Sequence, residues 1–482
     1  MFQRRSLFLS WGAFCFIACV LFNSCASHRT QILTGRYLSQ GTWKASPALL
    51  FRVLHVLGTD DGDIARYLAY SRAVLGQPYQ SYFIRPIEEW RVDATKYETG
   101  KDISDPQETP PTVPSTPLRA YRDFLVEYPP GFFLFALPPA LLATDLDRYV
   151  VLFGVYMALL LCGSLWLCVR VARTTAPDVP EQQIVKWSTL CLLALGTITM
   201  RRYDAAVSFS LALLIYGCVA KRPSLAGIGL GLGVVAKGLP VLLVPLPVLY
   251  YLSMRRWREL AIATTCGLFF GLLVGLPMVV PAGAHLFDIL SYHGGRPLQI
   301  ESTAGALLIL SRLLPQSNVA ITHTYGSMNL VGNGEPILRS LASVLPVLSL
   351  LGVWLWSFFA FRRAPNKPAR DRILLVAICL ILVGQMALGK VFSPQYLTWL
   401  LPIGVLVSLR EDFPGRSLFL GALLLTQLIF PICYRLPLVK DLSPIFGFLV
   451  LLRNCLILAW AVRLLRRVPL LPLAKSADSA AA

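Results

Sequence analysis

Apolar runs long enough to cross a lipid bilayer recur from residue 7 to the C-terminal tail, and they restrict the folds open to this chain. A spanning helix needs roughly 17–25 mostly apolar residues. Only 15% of the residues are charged and 55% are hydrophobic, whereas about a quarter of a typical soluble domain is charged. The sequence therefore predicts an all-α membrane protein that crosses the bilayer many times.

The runs predict a single membrane domain over residues 1–482, a bundle of about twelve transmembrane helices. The predicted spans are 7–23, 148–169, 187–200, 204–219, 224–236, 239–253, 260–281, 337–361, 373–389, 396–409, 417–433 and 444–465. The short pair 224–236 and 239–253 could instead form one broken helix. The glycine-rich run at 227–233 is apolar, which favours close helix packing over phosphate binding.

The net charge of +18 is carried largely by short loops between the apolar runs. Such loops face the cytoplasm under the positive-inside rule, so this charge predicts orientation in a bacterial inner membrane rather than nucleic-acid binding. Arg4 and Arg5 precede the first run and place the N-terminus in the cytoplasm. The basic tail, 466–482, falls on the same side.

The segment 131–143 decides the orientation of everything that follows. It is short for a span and contains Pro138 and Pro139, which suits a re-entrant or interfacial helix. If it does not cross, the basic loops face the cytoplasm, as the charge rule prefers. Residues 24–147 then form a long first extracytoplasmic loop, and residues 282–336 form a second.

An acidic cluster, Asp60, Asp61 and Asp63, lies in the first outer loop. Closely spaced carboxylates can supply a general base or bind a divalent cation. A solvated acidic turn is the plainer interpretation. The eleven cysteines show no C-x-x-C spacing. We therefore expect no resident cofactor or metal, with Mg²⁺ or Mn²⁺ at the acidic cluster as the open alternative.

Cationic residues also fall on the predicted outer face, where they break the charge rule. Arg202 and Asp204 belong to one such cluster, and Lys237 reaches the same membrane face. Charged residues near the membrane that break the pattern are functional candidates by default. The planar fork of arginine suits bidentate phosphate binding. Glu127 and Tyr128, before two prolines, could hold a sugar hydroxyl or serve only as a cap.

The second outer loop and a short turn near residue 395 supply the remaining candidates. These residues carry hydrogen-bonding side chains and are His293, Arg296, Gln299, Glu301, Gln395 and Tyr396. His293 could transfer a proton or bind phosphate. Gln395 and Tyr396 could bind a sugar, although Tyr396 also suits an interfacial aromatic belt.

Taken in order, these clusters resemble glycosyltransferase family 87 of the GT-C superfamily. The matching pieces are Asp61-Gly62-Asp63-x-x-x-Tyr67, Gly76-Gln77-Pro78-Tyr79, Glu127-Tyr128-Pro129-Pro130, Arg202-Tyr203-Asp204, Ala236-Lys237, Arg296-x-x-Gln299-x-Glu301-Ser302 and Phe392-Ser393-Pro394-Gln395-Tyr396. Two departures stand out. The segment 83–126 reads as an inserted loop. Between Lys237 and Pro240, Gly238-Leu239 stands where the family usually has an aliphatic and an aromatic residue.

The resemblance implies an inverting transferase that takes a hexose, with mannose favoured, from a polyprenyl-phosphate donor to an extracytoplasmic glycan or glycolipid. It implies a catalytic aspartate in the first outer loop, for which Asp63 is the first choice and Asp61 the second. Membrane lipid would border the site. The donor phosphate is assigned to Arg202, Lys237, His293 and Arg296. The sugar and acceptor hydroxyls are assigned to Glu127, Tyr128, Asp204, Gln299, Glu301, Gln395 and Tyr396.

Two other functions are weighed against this one. A transporter or flippase of a lipid-linked sugar would explain outward basic groups, but it calls for internal repeats and paired broken helices, and no clear repeat is present. A non-catalytic scaffold would leave the outer arginines and lysine unexplained.

Overall fold

The computed structural model describes residues 62–84, 86, 87, 112 and 116–468. The N-terminal half of this part is a succession of helices joined by short turns. They are α1 (Gly62–Leu75), α2 (Phe133–Leu142), α3 (Leu146–Thr175), α4 (Glu181–Leu195), α5 (Asp204–Val219), α6 (Pro223–Lys237), α7 (Pro245–Ser253) and α8 (Trp257–Ala282). Single 3₁₀ turns lie at Ser81–Phe83, Pro130–Phe132, Gly196–Thr199, Leu239–Leu243 and Gly283–Phe287.

The segment predicted as the second extracytoplasmic loop, 282–336, contains both helices and strands. It contains α9 (Asp288–Gly295), β1 (Leu298–Gln299), α10 (Thr303–Leu310), β2 (Ala320–Thr324) and β3 (Ser327–Val331), with a 3₁₀ turn at Ser311–Leu313. The strands form an antiparallel sheet in the order β1-β3-β2, in which Leu298 pairs with Leu330 and Thr324 with Ser327. The sequence analysis predicted no strand here.

Helices dominate again in the C-terminal half. They are α11 (Glu335–Arg363), α12 (Lys367–Leu388), α13 (Leu397–Ser408), α14 (Phe413–Gln427), α15 (Pro437–Lys440) and α16 (Pro444–Arg466). Shorter turns occupy Pro394–Tyr396, Leu428–Ile432 and Cys433–Arg435. Polar caps fix several starts: the side chains of Asp145, Asn366 and Asp412 each accept a hydrogen bond from a backbone N–H in the first turn that follows.

Helices make up 77% of the structure, and six are long and apolar enough to cross a membrane. Two of these, α8 and α11, carry large apolar side chains on their outer faces. Phe269 is 67% exposed and Val280 72% exposed. Water would strongly disfavour so much exposed apolar surface, whereas lipid does not. The prediction of a helical membrane protein is therefore confirmed.

The number of spans stays a prediction. The runs predicted at 204–219, 224–236 and 239–253 form short apolar helices, and so does the 131–143 segment. The broken-helix alternative for 224–236 and 239–253 matches the local structure. Helix α6 ends at Lys237, Gly238 follows, and a 3₁₀ turn begins at Leu239. The first span, the tail after residue 468 and most of the inserted loop 83–126 lie outside the described residues.

The glycine run in α6 packs two helices against one backbone. A Cβ added at Gly231 would lie 2.5 Å from the Gly267 carbonyl oxygen of α8. A Cβ added at Gly229 would lie 2.5 Å from the Leu214 backbone nitrogen of α5, on the other side. Only glycine allows such close approach, so the prediction of close helix packing is confirmed. Lys237, the last residue of α6, is thereby held close to α5.

Candidate active site

Helix α1 presents two charged side chains on successive turns. Asp63 lies in its first turn, where a carboxylate is stabilised by the partial positive charge of the helix terminus. Arg66 follows three residues later and forms an ion pair with the Asp63 carboxylate. An adjoining apolar face of α1, which contains Ile64 and Leu68, is buried. Packing of this apolar face therefore fixes the direction in which the charged pair points.

Asp63 is held from two sides by arginines. Its Oδ1 contacts Arg66, and its Oδ2 lies 2.6 Å from Nε of Arg202. The side chains of Asp63 and Arg202 are 22% and 11% exposed, so the pair is shielded without being sealed. Burial raises the pKa of Asp63, but Arg202 and Arg66 outweigh it and lower the pKa to about 2. Asp63 is therefore a carboxylate throughout the neutral range.

Glu127 continues the same network. Its Oε1 lies 2.7 Å from Nη1 of Arg66, and its Oε2 accepts a hydrogen bond of 2.7 Å from the Tyr70 hydroxyl. The backbone oxygen of Glu127 lies 3.1 Å from Nε2 of His293. Arg66 thus bridges the carboxylates of Asp63 and Glu127, and the second outer loop reaches the bridge through His293.

A second ion pair lies where α5 begins and α6 ends. Asp204 is completely buried at the start of α5 and lies 3.3 Å from Nζ of Lys237. Trp399 donates a 2.6 Å hydrogen bond from Nε1 to Oδ1 of Asp204. Gly238 follows Lys237 with φ +72° and ends α6 there, as glycine commonly does. The cation therefore lies at a helix C-terminus and the carboxylate at a helix N-terminus, both favourable positions.

Aromatic rings surround the Lys237 ammonium. Its Nζ lies 4.2 Å from the ring centroid of Tyr203, 5.4 Å from that of Tyr128 and 5.9 Å from that of Trp399. A cation this close to aromatic faces is attracted to them. The Tyr396 ring stacks on Trp399 with centroids 4.4 Å apart. Of the predicted sugar ligands, Tyr128 thus lies beside the cation predicted to bind phosphate, and Tyr396 stacks on a ring that does.

Arg296 and the two glutamine candidates lie in the loops next to this network. Arg296 donates a 2.9 Å hydrogen bond to the Ser327 hydroxyl at the start of β3. Gln299 accepts from the Phe392 backbone N–H at 2.8 Å and donates to the Ser393 hydroxyl. Gln299 therefore supports the loop that carries Gln395 and Tyr396, both of which are half-buried.

Glu301 is not brought to the Asp63 network. It is 1% exposed, its Oε1 accepts from the Tyr434 hydroxyl at 2.7 Å, and its Oε2 lies 3.2 Å from Nη1 of Arg453. Both oxygens are already occupied by protein donors in a closed environment. Glu301 thus makes a structural contact, and the sugar contact that the sequence analysis assigned to it stays a prediction.

Two arginines in these networks were not singled out from the sequence. Arg66 could have been found from its spacing of three residues after Asp63, which places both on one helix face. Arg453 is a charge inside an apolar run, and that pattern alone marks a residue with a specific partner.

A metal site receives no support from the part of the chain that the structure describes. Within those residues, no group of three or more histidine, cysteine, aspartate or glutamate side chains could hold an ion. Asp61, the second catalytic candidate, lies outside the described residues, as does Asp60. Cation binding by the three aspartates thus stays a prediction.

Comparison with known proteins identifies the family. No curated protein matches the chain. The sequence model of glycosyltransferase family 87 matches residues 124–384. This stretch contains Glu127, Arg202, Lys237 and His293, whereas α1 with Asp63 precedes it. The match covers more than half of the 482 residues, and the chain therefore belongs to glycosyltransferase family 87.

Proposed function

We propose that this glycosyltransferase moves a hexose, with mannose favoured, from a polyprenyl-phosphate donor to an extracytoplasmic glycan or glycolipid, with inversion at the anomeric carbon. One observation carries the proposal: the Asp63 carboxylate lies 2.6 Å from Arg202, next to the Lys237 pair. A base and a group of cations on one side of it are what displacement of a phosphate from a sugar requires.

In the proposed reaction, Asp63 takes the proton of an acceptor hydroxyl. The hydroxyl oxygen forms a bond to the anomeric carbon of the donor sugar. The bond from that carbon to the phosphate oxygen breaks at the same time, and polyprenyl phosphate leaves with the electron pair. Attack from the side opposite the leaving group inverts the configuration. Arg202 and Lys237 stabilise the charge that grows on the phosphate. His293 and Arg296, the other two residues predicted to bind phosphate, contact Glu127 and Ser327 instead and have no role in this step.

Exchange of partners at Arg202 makes Asp63 available as a base. Without donor, burial raises the pKa of Asp63, but Arg202 and Arg66 outweigh it and hold that pKa near 2. A carboxylate with so low a pKa is a weak base. The singly charged phosphodiester of the donor competes for the guanidinium of Arg202, because arginine binds phosphate oxygens bidentately. Asp63 then keeps Arg66 but loses its second cation, and its pKa rises. Donor binding in this scheme precedes proton transfer.

The remaining candidates fit sugar recognition around this centre. Glu127 and Gln395 supply hydroxyl ligands, and the stacked pair Tyr396 and Trp399 supplies an apolar face next to Lys237. We place the site on the extracytoplasmic side of a bacterial inner membrane, with both termini in the cytoplasm, because that orientation satisfies the charge rule.

The test uses the full-length protein purified in detergent and incubated with labelled polyprenyl-phosphate sugars and a membrane extract. We expect a labelled glycan or glycolipid product. Asp63→Asn should reduce its formation by about 10²–10⁴-fold, the usual contribution of a general base. The variant should still unfold cooperatively, at a somewhat lower midpoint, because the ion pairs of Asp63 with Arg66 and Arg202 are lost. Asp441→Asn, which changes an exposed aspartate outside the network, serves as the matched control.

Two outcomes would contradict the proposal. Wild-type turnover by Asp63→Asn would reject Asp63 as the base. Absence of a glycosidic product with every polyprenyl-phosphate sugar, together with movement of the labelled lipid across vesicle membranes, would favour a transporter instead.

A further inference from the structure

The turn between β2 and β3 reaches the ion-pair network of α1. Its two central residues are Tyr325 and Gly326, between the paired residues Thr324 and Ser327. A Cβ added at Gly326 would lie 3.0 Å from Nη1 of Arg66 and 3.7 Å from the Tyr292 hydroxyl. The backbone of the turn therefore packs against the guanidinium that bridges Asp63 and Glu127.

Tyr325 has a backbone conformation that tyrosine rarely adopts. Its φ is +52°, and that of Gly326 is +63°. Two-residue hairpin turns with both φ angles positive favour asparagine, aspartate or glycine at the first position. A bulky residue in the left-handed region is a genuine outlier, and such outliers cluster at functional sites. The ring of Tyr325 is thus present at a cost to the turn, which suggests that the ring itself is used.

The ring forms part of an aromatic wall. Tyr325 packs edge to face on Tyr292 with centroids 5.1 Å apart, and Leu125 completes the contact. Tyr292 in turn lies 5.3 Å from the His293 ring, and His293 contacts the Glu127 backbone. Tyr292 is 7% exposed, whereas Tyr325 is half-buried. Tyr325 is therefore the more accessible of the two tyrosines.

The two oxygens of Asp63 give the direction from which an acceptor arrives. Oδ2 faces Arg202, on the side proposed for the donor phosphate. Oδ1 faces Arg66 and hence the hairpin turn. Inverting displacement requires the incoming hydroxyl to lie opposite the phosphate, and the base must contact that hydroxyl. The acceptor therefore enters from the Arg66 side, beneath the turn.

We propose that residues 324–327 form the acceptor subsite and that the Tyr325 ring packs against a sugar ring of a carbohydrate or glycolipid acceptor. The proposal rests on the function proposed above, because it uses Asp63 as the base. An aromatic ring suits this ligand, since it offers an apolar face to the C–H groups of a sugar and a hydroxyl to its oxygens. Tyr325 is a specificity residue for the acceptor and makes no contact with the donor phosphate.

Contacts outside the Tyr325 side chain hold the turn in place. Asn329 donates hydrogen bonds from Nδ2 to the Thr324 backbone oxygen at 2.8 Å and to its hydroxyl at 2.6 Å. Arg296 donates to the Ser327 hydroxyl. Tyr325→Asn keeps these contacts and places a preferred residue in the turn. This variant therefore removes the ring, and we expect the hairpin to keep its conformation.

The experiment measures transfer by full-length protein from a saturating polyprenyl-phosphate sugar to graded amounts of a membrane glycolipid extract. Tyr325→Asn should raise the amount of extract that gives half-maximal transfer at least tenfold. Half-saturation by donor, and slow hydrolysis of donor by water, should stay within twofold of wild type. Tyr325→Phe, which keeps the ring, should stay within about threefold of wild type for the extract.

The subsite would be overturned if Tyr325→Asn and wild type needed the same amount of extract for half-maximal transfer. It would also be overturned if the amount of donor needed for half-maximal transfer rose as much as the amount of extract. If Tyr325→Asn lowers the unfolding midpoint, Tyr325→Gly supplies a second ringless variant suited to the turn, with the same expected result. Failure of the proposed function is distinguishable, because the wild type would then transfer no sugar at all.

Discussion

This protein has two groups of paired opposite charges, one around Asp63 and one around Glu301, and they differ in how completely their charges are covered. In the first, Asp63, Arg66 and Arg202 are 22%, 18% and 11% exposed. In the second, Glu301 and Arg453 are 1% and 0% exposed. Both groups pair a carboxylate with arginine, so residue type alone does not distinguish them. They are distinguished by whether another molecule can reach the charges.

The second group is saturated by protein contacts. Arg453 donates to the Glu301 backbone oxygen at 2.7 Å, and Asn454 donates to the same oxygen at 3.3 Å. The Arg453 guanidinium also lies 4.0 Å from the Phe392 ring centroid. These contacts tie α16 to the loops at 299–303 and 390–396, the second of which carries Gln395 and Tyr396. The Glu301–Arg453 group, called the closed group below, therefore supports the loops. The group of Asp63, Arg66 and Arg202, called the open group, stays accessible.

The largest expected effect is on stability and concerns Arg453. Arg453→Met leaves Glu301 buried without its cation, which typically costs about 3–5 kcal/mol. We expect a large drop in the unfolding free energy, measured by denaturant titration in detergent. The double variant Glu301→Leu with Arg453→Met removes both charges and should recover most of the loss. If the single variant is as stable as wild type, the closed group is not a structural support.

The next effect is on catalysis and concerns Arg202. Arg202→Met removes the cation proposed to stabilise the leaving phosphate, a type of contact worth about 2.7–4 kcal/mol. We expect kcat/KM for the polyprenyl-phosphate sugar to fall by about 10²–10³-fold. The unfolding midpoint should change far less than in Arg453→Met. A large loss of stability with unaltered turnover in the folded fraction would reverse the roles assigned to the two groups.

A smaller effect is expected at Trp399, which lies beside Lys237. Trp399→Phe keeps an aromatic ring next to Tyr396 but removes the donor to the buried Asp204 carboxylate. A hydrogen bond to a charged group contributes about 1.5–3 kcal/mol. The unfolding free energy should fall by that amount, and the donor KM should rise, because Asp204 then binds Lys237 more tightly. An unchanged donor KM would show that Lys237 does not contact the donor.

The sequence predicts the open group better than the closed one. The charge rule predicts that four of the polar candidates lie on one side of the bilayer. They are Asp63, Arg202, Lys237 and His293. Their mutual contacts depend on how α1, α5 and α6 pack, which no local pattern specifies. The glycines at 229 and 231 predict close packing, but they do not identify the partner helices.

Glu301 shows why the rest of the site could not be predicted. It lies two residues after Gln299 and five after Arg296, so the local sequence associates it with sugar binding. Its actual partner, Arg453, is 152 residues away. The sequence shows that Arg453 needs a partner, because it is a charge inside an apolar run, but nothing near either residue identifies that partner. The strands of the second outer loop were missed because a short antiparallel sheet depends on tertiary contacts more than on propensity.

The two groups are also expected to differ in the sign with which stability depends on pH. Burial raises the pKa of Glu301 to about 7, although Arg453 and Tyr434 oppose it. The folded state then binds more protons than the unfolded state between about pH 4.5 and 7, so Glu301 lowers stability as pH rises through that window. For Asp63, the pKa is lowered to about 2, so its ion pairs stabilise the fold above the usual pKa of 3.8 and lose that effect as pH falls towards 2.

Unfolding midpoints of the wild type between pH 4.5 and 7.5 should therefore decline with pH. The double variant Glu301→Leu with Arg453→Met should show a weaker decline, whereas Asp63→Asn should show the wild-type slope, because Asp63 does not titrate in this range. A double variant with the full wild-type slope would mean that Glu301 is ionised across the window and that its burial is fully offset by Arg453.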